Sequence, residues 1–223
     1  MALTKVIGAG LGTVTEDQVF GGATPTVTIG DAGAEDAKIV FDGNAQDYHI
    51  GLDDSADTLV IGKGSALGTT TAMSFDANGI ITMPLQPAFL VQPASAQNNI
   101  AVGTAVAVAL GTERYDQNAD FASNTFTAPV TGKYMLCANL FLIDIDSAAN
   151  YYQVSIVTSN RTYYWSYDGA SSDEDPNRLQ GQVNVVADMD ASDTATVAIT
   201  ISSGGSAQTD IAVESYFSGA LIC

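Results

Sequence analysis

The 223-residue chain carries 25 acidic against seven basic side chains, a formal charge of −18, yet only 14% of it is charged, against roughly 25% in an ordinary globular domain. Seven scattered bases exclude binding to nucleic-acid phosphates or to an anionic membrane surface, and no run approaches the ~18 apolar residues of a spanning helix. The acids divide into 20 Asp and five Glu beside 21 Gly, with 46% hydrophobic residues, which is the composition of packed β-structure and turns rather than of helices.

In chain order, the N-terminus MALTKVIGAGLGTVT has no continuous apolar core, so no secretory signal is expected, and residues 1–22 are assigned as an attachment segment. Residues 23–84 form a Gly/Asp-rich region with a weak internal repeat. Thr28-Ile29-Gly30-Asp31 returns as Val60-Ile61-Gly62-Lys63, and Phe41-Asp42-Gly43-Asn44 returns as Phe75-Asp76-Ala77-Asn78. Two such units cannot bury an apolar face alone, which predicts either a shaft or β-prism shared between copies or a small self-contained β-domain. Pro84, Pro87 and Pro93 mark the start of a second region, 85–223, of single-domain size.

Within 85–223, Tyr152, Val154 and Ile156 alternate with Gln153 and Ser155, and Val197, Ile199 and Ile201 alternate with Ala198 and Thr200, the period of half-buried strands. Tyr134–Ile143 is apolar at both parities and is expected to be buried from two sides. Turns are predicted at 116–120, 129–132, 144–150, 168–176, 188–193 and 202–208. Eight to ten strands in this length predict an antiparallel sandwich, most simply a jelly roll. Tyr151, Tyr152, Tyr163, Tyr164 and Trp165 are candidates for a seam between subunits or for the core. Cys137 within KYMLCANLFLI and the terminal Cys223 have no spacing that demands a disulfide.

The residues of this region resemble the complement-1q and tumour-necrosis-factor family of globular heads. Thr127-Ala128-Pro129-Val130-Thr131-Gly132-Lys133-Tyr134 is similar to the family's turn into a central strand. Arg114-Tyr115-Asp116 through Phe121 and Thr125-Phe126-Thr127 precede it in the family's order. Tyr152–Ile156, Asp190–Val197 and the closing Ser215-Tyr216-Phe217-Ser218-Gly219-Ala220-Leu221-Ile222 follow it. The resemblance spans residues 87–223 and implies a ten-stranded jelly roll assembled as a trimer. No Gly-x-y collagen stalk precedes it, and residues 23–84 instead resemble shaft segments of bacteriophage fibre and virion-surface proteins.

Enzymatic patterns are missing. His49 is the only histidine, and no Gly-x-Ser-x-Gly elbow accompanies it. Gly8-Ala9-Gly10-Leu11-Gly12 and Gly62–Gly68 lack phosphate-loop spacing. Asp144/Asp146 and Asp188/Asp190 sit in turns, where carboxylates make a poor acid/base pair. Three acidic loops offer hard oxygen ligands for calcium: Asp168 with Asp173-Glu174-Asp175, Asp188 with Asp190 and Asp193, and Asp144 with Asp146. None has EF-hand spacing. The resemblance favours Asp168, Asp173 and Asp175, in the loop where some relatives bind the ion, and no firm cofactor is expected. The expected function is that of a non-enzymatic trimeric virion-surface fibre protein. It would meet other virion proteins through its N-terminal region and a host receptor or glycan through loops carrying Tyr167, Asp168, Asp173, Glu174, Asn177 and Arg178. Capsid decoration or a head fibre is the structural alternative.

Overall fold

The structure is a computed structural model and describes residues 17, 19–169 and 174–223. Most of the expected attachment segment 1–22 therefore lies outside the described residues.

Period-2 sequences become strands throughout, and the one helical turn described is the 3-10 turn Asp54–Ala56, capped by the Asp53 carboxylate. The strands β1 (Ala37–Phe41), β2 (Tyr48–Asp53), β3 (Thr58–Lys63), β4 (Thr71–Phe75) and β5 (Ile81–Thr82) form one antiparallel meander in chain order. The repeat is only half realised. Phe41 and Phe75 each close a strand, and Val60-Ile61-Gly62 lies in β3, but Thr28-Ile29-Gly30 lies in no strand. Among the described residues nothing pairs with that first segment, so it joins no ladder there.

The sandwich begins with β6 (Ala88–Gln92), β7 (Ala105–Ala107), β8 (Thr112–Gln117), β9 (Phe121–Ala122), β10 (Thr125–Thr127) and β11 (Gly132–Ile143). It continues through β12 (Tyr151–Thr158), β13 (Thr162–Asp168), β14 (Arg178–Met189), β15 (Thr194–Ile201), β16 (Asp210–Ile211) and β17 (Tyr216–Leu221). One sheet runs β14-β11-β17-β6-β8 with β16 on β11, and the other runs β13-β12-β15-β10-β9 with β7 on β15. The eight principal strands pair in a nested order: β6 with β17, β10 with β15, β11 with β14, and β12 with β13. First pairs with last and the middle two pair with each other, which is the winding of a jelly roll. The twelve strands of this region exceed the ten expected because β7, β9 and β16 are fragments of two or three residues.

The core lies between the two sheets. Tyr134, Leu136, Ala138, Leu140 and Leu142 of β11 face Tyr152, Val154 and Ile156 of β12 and Val197, Ile199 and Ile201 of β15, all buried. Tyr134 explains the Pro-x-x-Gly-x-Tyr segment. Its buried hydroxyl donates 2.7 Å to the Val130 carbonyl, tying strand to turn. A Cβ at Gly132 would stand 2.6 Å from Leu221 Cδ1, and Lys133 N–H donates 2.7 Å to the Cys223 carbonyl.

One expectation for this core needs correction, and the choice left open for the aromatics is narrowed. Strand β11 is buried on its inner face, but on the outer face only Asn139 is buried while Met135 is half exposed and Cys137 intermediate, because among the described residues no second layer covers that side. Tyr152 is fully buried within the sandwich, Tyr163 and Trp165 pack partly against the core, and only Tyr151 and Tyr164 are exposed. Cys137 and Cys223 are both free thiols, and burial pushes the Cys137 thiol up.

One carboxylate sits badly. Asp120, in the turn between β8 and β9, buries Oδ2 with no hydrogen-bond partner, and burial, followed by the nearby Asp116 charge, raises its carboxyl above the usual range. An acid whose folded value is raised weakens the fold when ionised, and the cost fades as pH falls through that value. Asp120→Asn is expected to stabilise the protein at pH 7 by a few tenths of a kcal/mol, since the site is partly solvated. Below the unfolded Asp value of about 3.9 the gain disappears. Urea denaturation at pH 7 and pH 3.5 checks this, and an equal gain at both would contradict it.

Candidate functional site

Register places the loops. The chain enters the sandwich at Pro87, and the Ala88, Ala220, Met135 and Val186 ends of four adjacent strands lie level with it. At the opposite end are Gln92, Tyr216, Leu142 and Leu179, and there the segments 144–150, 174–177 and 202–209 lie, with Gly169 at the end of β13. The loop end is thus distal to the point where the N-terminal region joins.

These loops are tied to one another by named bonds. Asp144 and Ile145 N–H donate to the Asn177 and Pro176 carbonyls, each at 3.1 Å, and Gly169 N–H donates 3.1 Å to Asn150. Asp175 Oδ1 accepts from the backbone N–H of Ser147 at 2.9 Å and from its hydroxyl at 2.6 Å; those bonds hold the Asp175 carboxyl below the usual range. Asp210 Oδ1 accepts 2.7 Å from Asn99 N–H. Beneath them lies a buried polar knot. Tyr152 Oη accepts 2.8 Å from Asp146 N–H and lies 3.1 Å from Thr209 Oγ1, which donates 3.1 Å to the Asp144 carbonyl. The buried Asp146 carboxylate accepts from Ala148 N–H at 2.8 Å and from Ser206 N–H at 2.5 Å.

Above the knot an open groove of about 670 Å³ is lined by Asn99, Asp144, Asp175, Asn177, Gln208 and Asp210, with Ile145 and Pro176. It presents amide and carboxylate groups and no base, so it is suited to hydrogen-bonding a hydroxylated or cationic ligand.

The residues expected in the contact surface separate. Glu174, Asn177 and Arg178 are exposed at this end, and the Arg178 guanidinium lies 5.5 Å from the centre of the Phe141 ring. Asp168 is exposed at the last position of β13, opposite Tyr151. Tyr167 belongs to β13 rather than to a loop; its ring is half-buried, stacked on Trp165 with centroids 6.2 Å apart. Asp173 lies outside the described residues. The groove residues that sequence reasoning missed, Asn99, Gln208 and Asp210, come from segments more than 100 residues apart, and no local pattern marks them.

Of the calcium candidates, Asp175 is engaged by Ser147, and among the described residues no group of three or more His, Cys, Asp and Glu is placed to hold a metal ion. The remaining turn acids are tied elsewhere. Arg161 donates to both Asp188 oxygens, which holds that carboxyl below the usual range, and Asp193 Oδ2 accepts from Asn160 and from Asp190 N–H. His49 is fully buried in the N-terminal sheet, where Nδ1–H donates 2.8 Å to the Gly64 carbonyl. A histidine so enclosed faces no substrate. Among the described residues no helix is long and apolar enough to cross a membrane.

No family model and no curated protein matches the chain. Among solved structures it is similar to the globular domain of zebrafish complement 1qA protein, at 16% identity over 62% of this chain and 98% of that one, with a TM-score of 0.45. It is similar also to murine APRIL at pH 8.0, at 10% identity over 61% of this chain and 99% of that one, again at 0.45.

Proposed function

We propose that this chain is a non-enzymatic, homotrimeric surface protein of a bacteriophage virion that binds a host receptor or glycan through the distal loops of its jelly-roll head. The observation that carries the reading is the position of the loop end and the hydrogen bonds that tie its described segments together. It lies opposite the N-terminal attachment, is closed by its own hydrogen bonds, and offers a polar groove with exposed Glu174, Asn177 and Arg178 beside it. Pre-ordered polar loops bind without a large ordering cost, and three heads convert weak contacts into avidity. The virion context rests on the likeness of the Gly/Asp-rich N-terminal region to fibre shafts.

Support for a trimer comes from the outer face of the β14-β11-β17-β6-β8 sheet. Val186, Met135 and Ala220 share one cross-strand row, and Cys137, Ser218, Leu90 and Tyr115 share the next. None of these seven is charged, although the chain carries −18. An uncharged strip on an acidic molecule, bordered by the paired Lys133 and Asp188 in the next row, is where copies can approach.

The purified protein is expected to compete with the virus for adsorption to host cells, and Glu174→Ala with Asn177→Ala to weaken that competition about tenfold. Light scattering is expected to give the mass of three 23.0 kDa chains. No competition at saturating dose would favour capsid decoration, and the mass of one chain would remove the trimer.

A further inference from the structure

We infer that the N-terminal meander carries a second assembly surface, separate from the head, and that its occupant is the same face of other copies of this chain. The inference starts from which face of the sheet is covered. Cross-strand register places Ala37, Leu52, Leu59, Phe75 and Ile81 in one row, Ile39, Ile50, Ile61 and Met73 in the next, and Phe41 and Tyr48 beside them. All point to one side, because directly paired residues share a face. The opposite side carries His49, Gly51, Val60 and Gly62, and these are the only buried residues among 37–84.

That opposite side is closed by the chain itself. Residues 64–70 fold back over it: Lys38 Nζ donates 2.7 Å to the Ser65 carbonyl, and His49 Nδ1–H donates 2.8 Å to that of Gly64. A Cβ on Gly51 would stand 2.7 Å from Leu67 Cδ1, and one on Gly62 would stand 2.5 Å from the His49 ring. Among the described residues the apolar side is met only in part, by Ile29 beside Ile39, Ile50, Leu52 and Leu59, and its large side chains stay open. Phe41 is 56% exposed, Tyr48 53%, Ile81 51%, Ile39 47%, Leu52 45%, Leu59 44% and Ile50 38%.

Those seven side chains leave roughly 700 Å² open, close to the ~800 Å² that each partner contributes to a stable interface and above the largest patch of an ordinary monomer, about 300–600 Å². Two further points select a copy of this chain as occupant. A five-stranded sheet with a single thin buried layer lacks the core to stand alone, so its cover must be present whenever the chain folds. A second copy meets that condition at fixed stoichiometry, as in obligate homo-oligomers. Charge points the same way: the two long rows contain no ionised group, and the charge in the adjoining row is the basic Lys63, paired with Tyr48. The −18 on each chain therefore opposes approach less here than at the acidic surfaces.

The test uses the full chain in a Cys137→Ser, Cys223→Ser background. Ile50→Cys and Leu59→Cys are placed on the apolar face, and Thr82→Cys on the opposite one. Mild oxidation is expected to link chains through at least one of the first two, as a covalent species of twice 23.0 kDa, and to leave Thr82→Cys unlinked. Separately, Ile50→Asp with Leu59→Asp is expected to speed amide exchange in β2 and β3 by about tenfold or more while β11 is unchanged. Met135→Asp, on the head, leaves the Ile50→Cys or Leu59→Cys link in place, so loss of the head contact and loss of this one are distinguishable. Absence of linking at both apolar positions, or linking at Thr82→Cys as readily, overturns the inference. So does a single-chain mass with the β2 and β3 amides already protected, because the cover would then come from the chain's own remainder.

Discussion

Phe89→Ala is expected to cost about 3–5 kcal/mol, the range for deleting a fully buried aromatic ring. Phe89 is 1% exposed, and its ring lies 4.6 Å from Phe126, 5.0 Å from Phe217 and 5.4 Å from Phe121. The four rings come from β6, β17, β10 and β9, so they join both sheets and fasten the first principal strand to the last. Neighbours cannot readily collapse into the space. Gly219 already holds its backbone against the ring, since a Cβ there would meet Phe89 Cε1 at 2.7 Å, and β6 is fixed between β17 and β8. Against a total stability of about 5–15 kcal/mol, the loss leaves a marginal protein, with a melting temperature lower by roughly 10 °C. Urea denaturation at one fixed protein concentration measures it. A cost below about 1 kcal/mol would show that this cluster does not close the sandwich.

The jelly roll was legible because its strands keep period two and its turns keep Gly, Pro and Asp. Tyr152/Val154/Ile156 and Val197/Ile199/Ile201 alternate in sequence and are buried in the structure for that reason. Gly132 and Tyr134 act within one turn, so a local motif carries their geometry. What escaped notice depends on register or on distant loops. That Gly62 stands opposite His49, and so encloses it, follows from cross-strand pairing that no short window shows. Strand β11 reads as apolar on both faces, but whether its outer face is covered depends on a partner, and a single chain leaves it open. The first repeat unit fails for the converse reason: Thr28 and Ile29 have strand chemistry, but among the described residues no strand pairs with them. Only the three-dimensional closure shows which of the 20 aspartates hold loops together, as Asp146 and Asp175 do.

That distinction makes Asp146→Ala the substitution with the largest expected effect on the loop end. The carboxylate is 7% exposed and accepts backbone N–H bonds from Ala148 in its own loop and from Ser206, 60 residues away. Ser206 can approach because Gly205 has no side chain; a Cβ there would stand 2.7 Å from Asp146 Oδ2. Removing the carboxylate leaves two amides without acceptors in a confined site, and hydrogen bonds to a charged group are worth about 1.5–3 kcal/mol each. Partial access of water to the two amides brings the expected loss to about 2–4 kcal/mol. Tyr152→Phe removes a different part of the same knot, the acceptor for Asp146 N–H, at about 1–2 kcal/mol. Because both act on one network, the double variant should cost less than the sum of the singles. Amide exchange should rise in 144–150 and 202–209 while β12 and β15, packed deep in the core, keep their protection. If the groove between Asp144, Asn177 and Asp210 binds the host ligand, adsorption competition should fall in step with that loosening, although neither Asp146 nor Tyr152 lines the groove. Unchanged exchange in both loops would mean that the knot does not order them, and the rigid loop end proposed for binding would have to be held by other contacts.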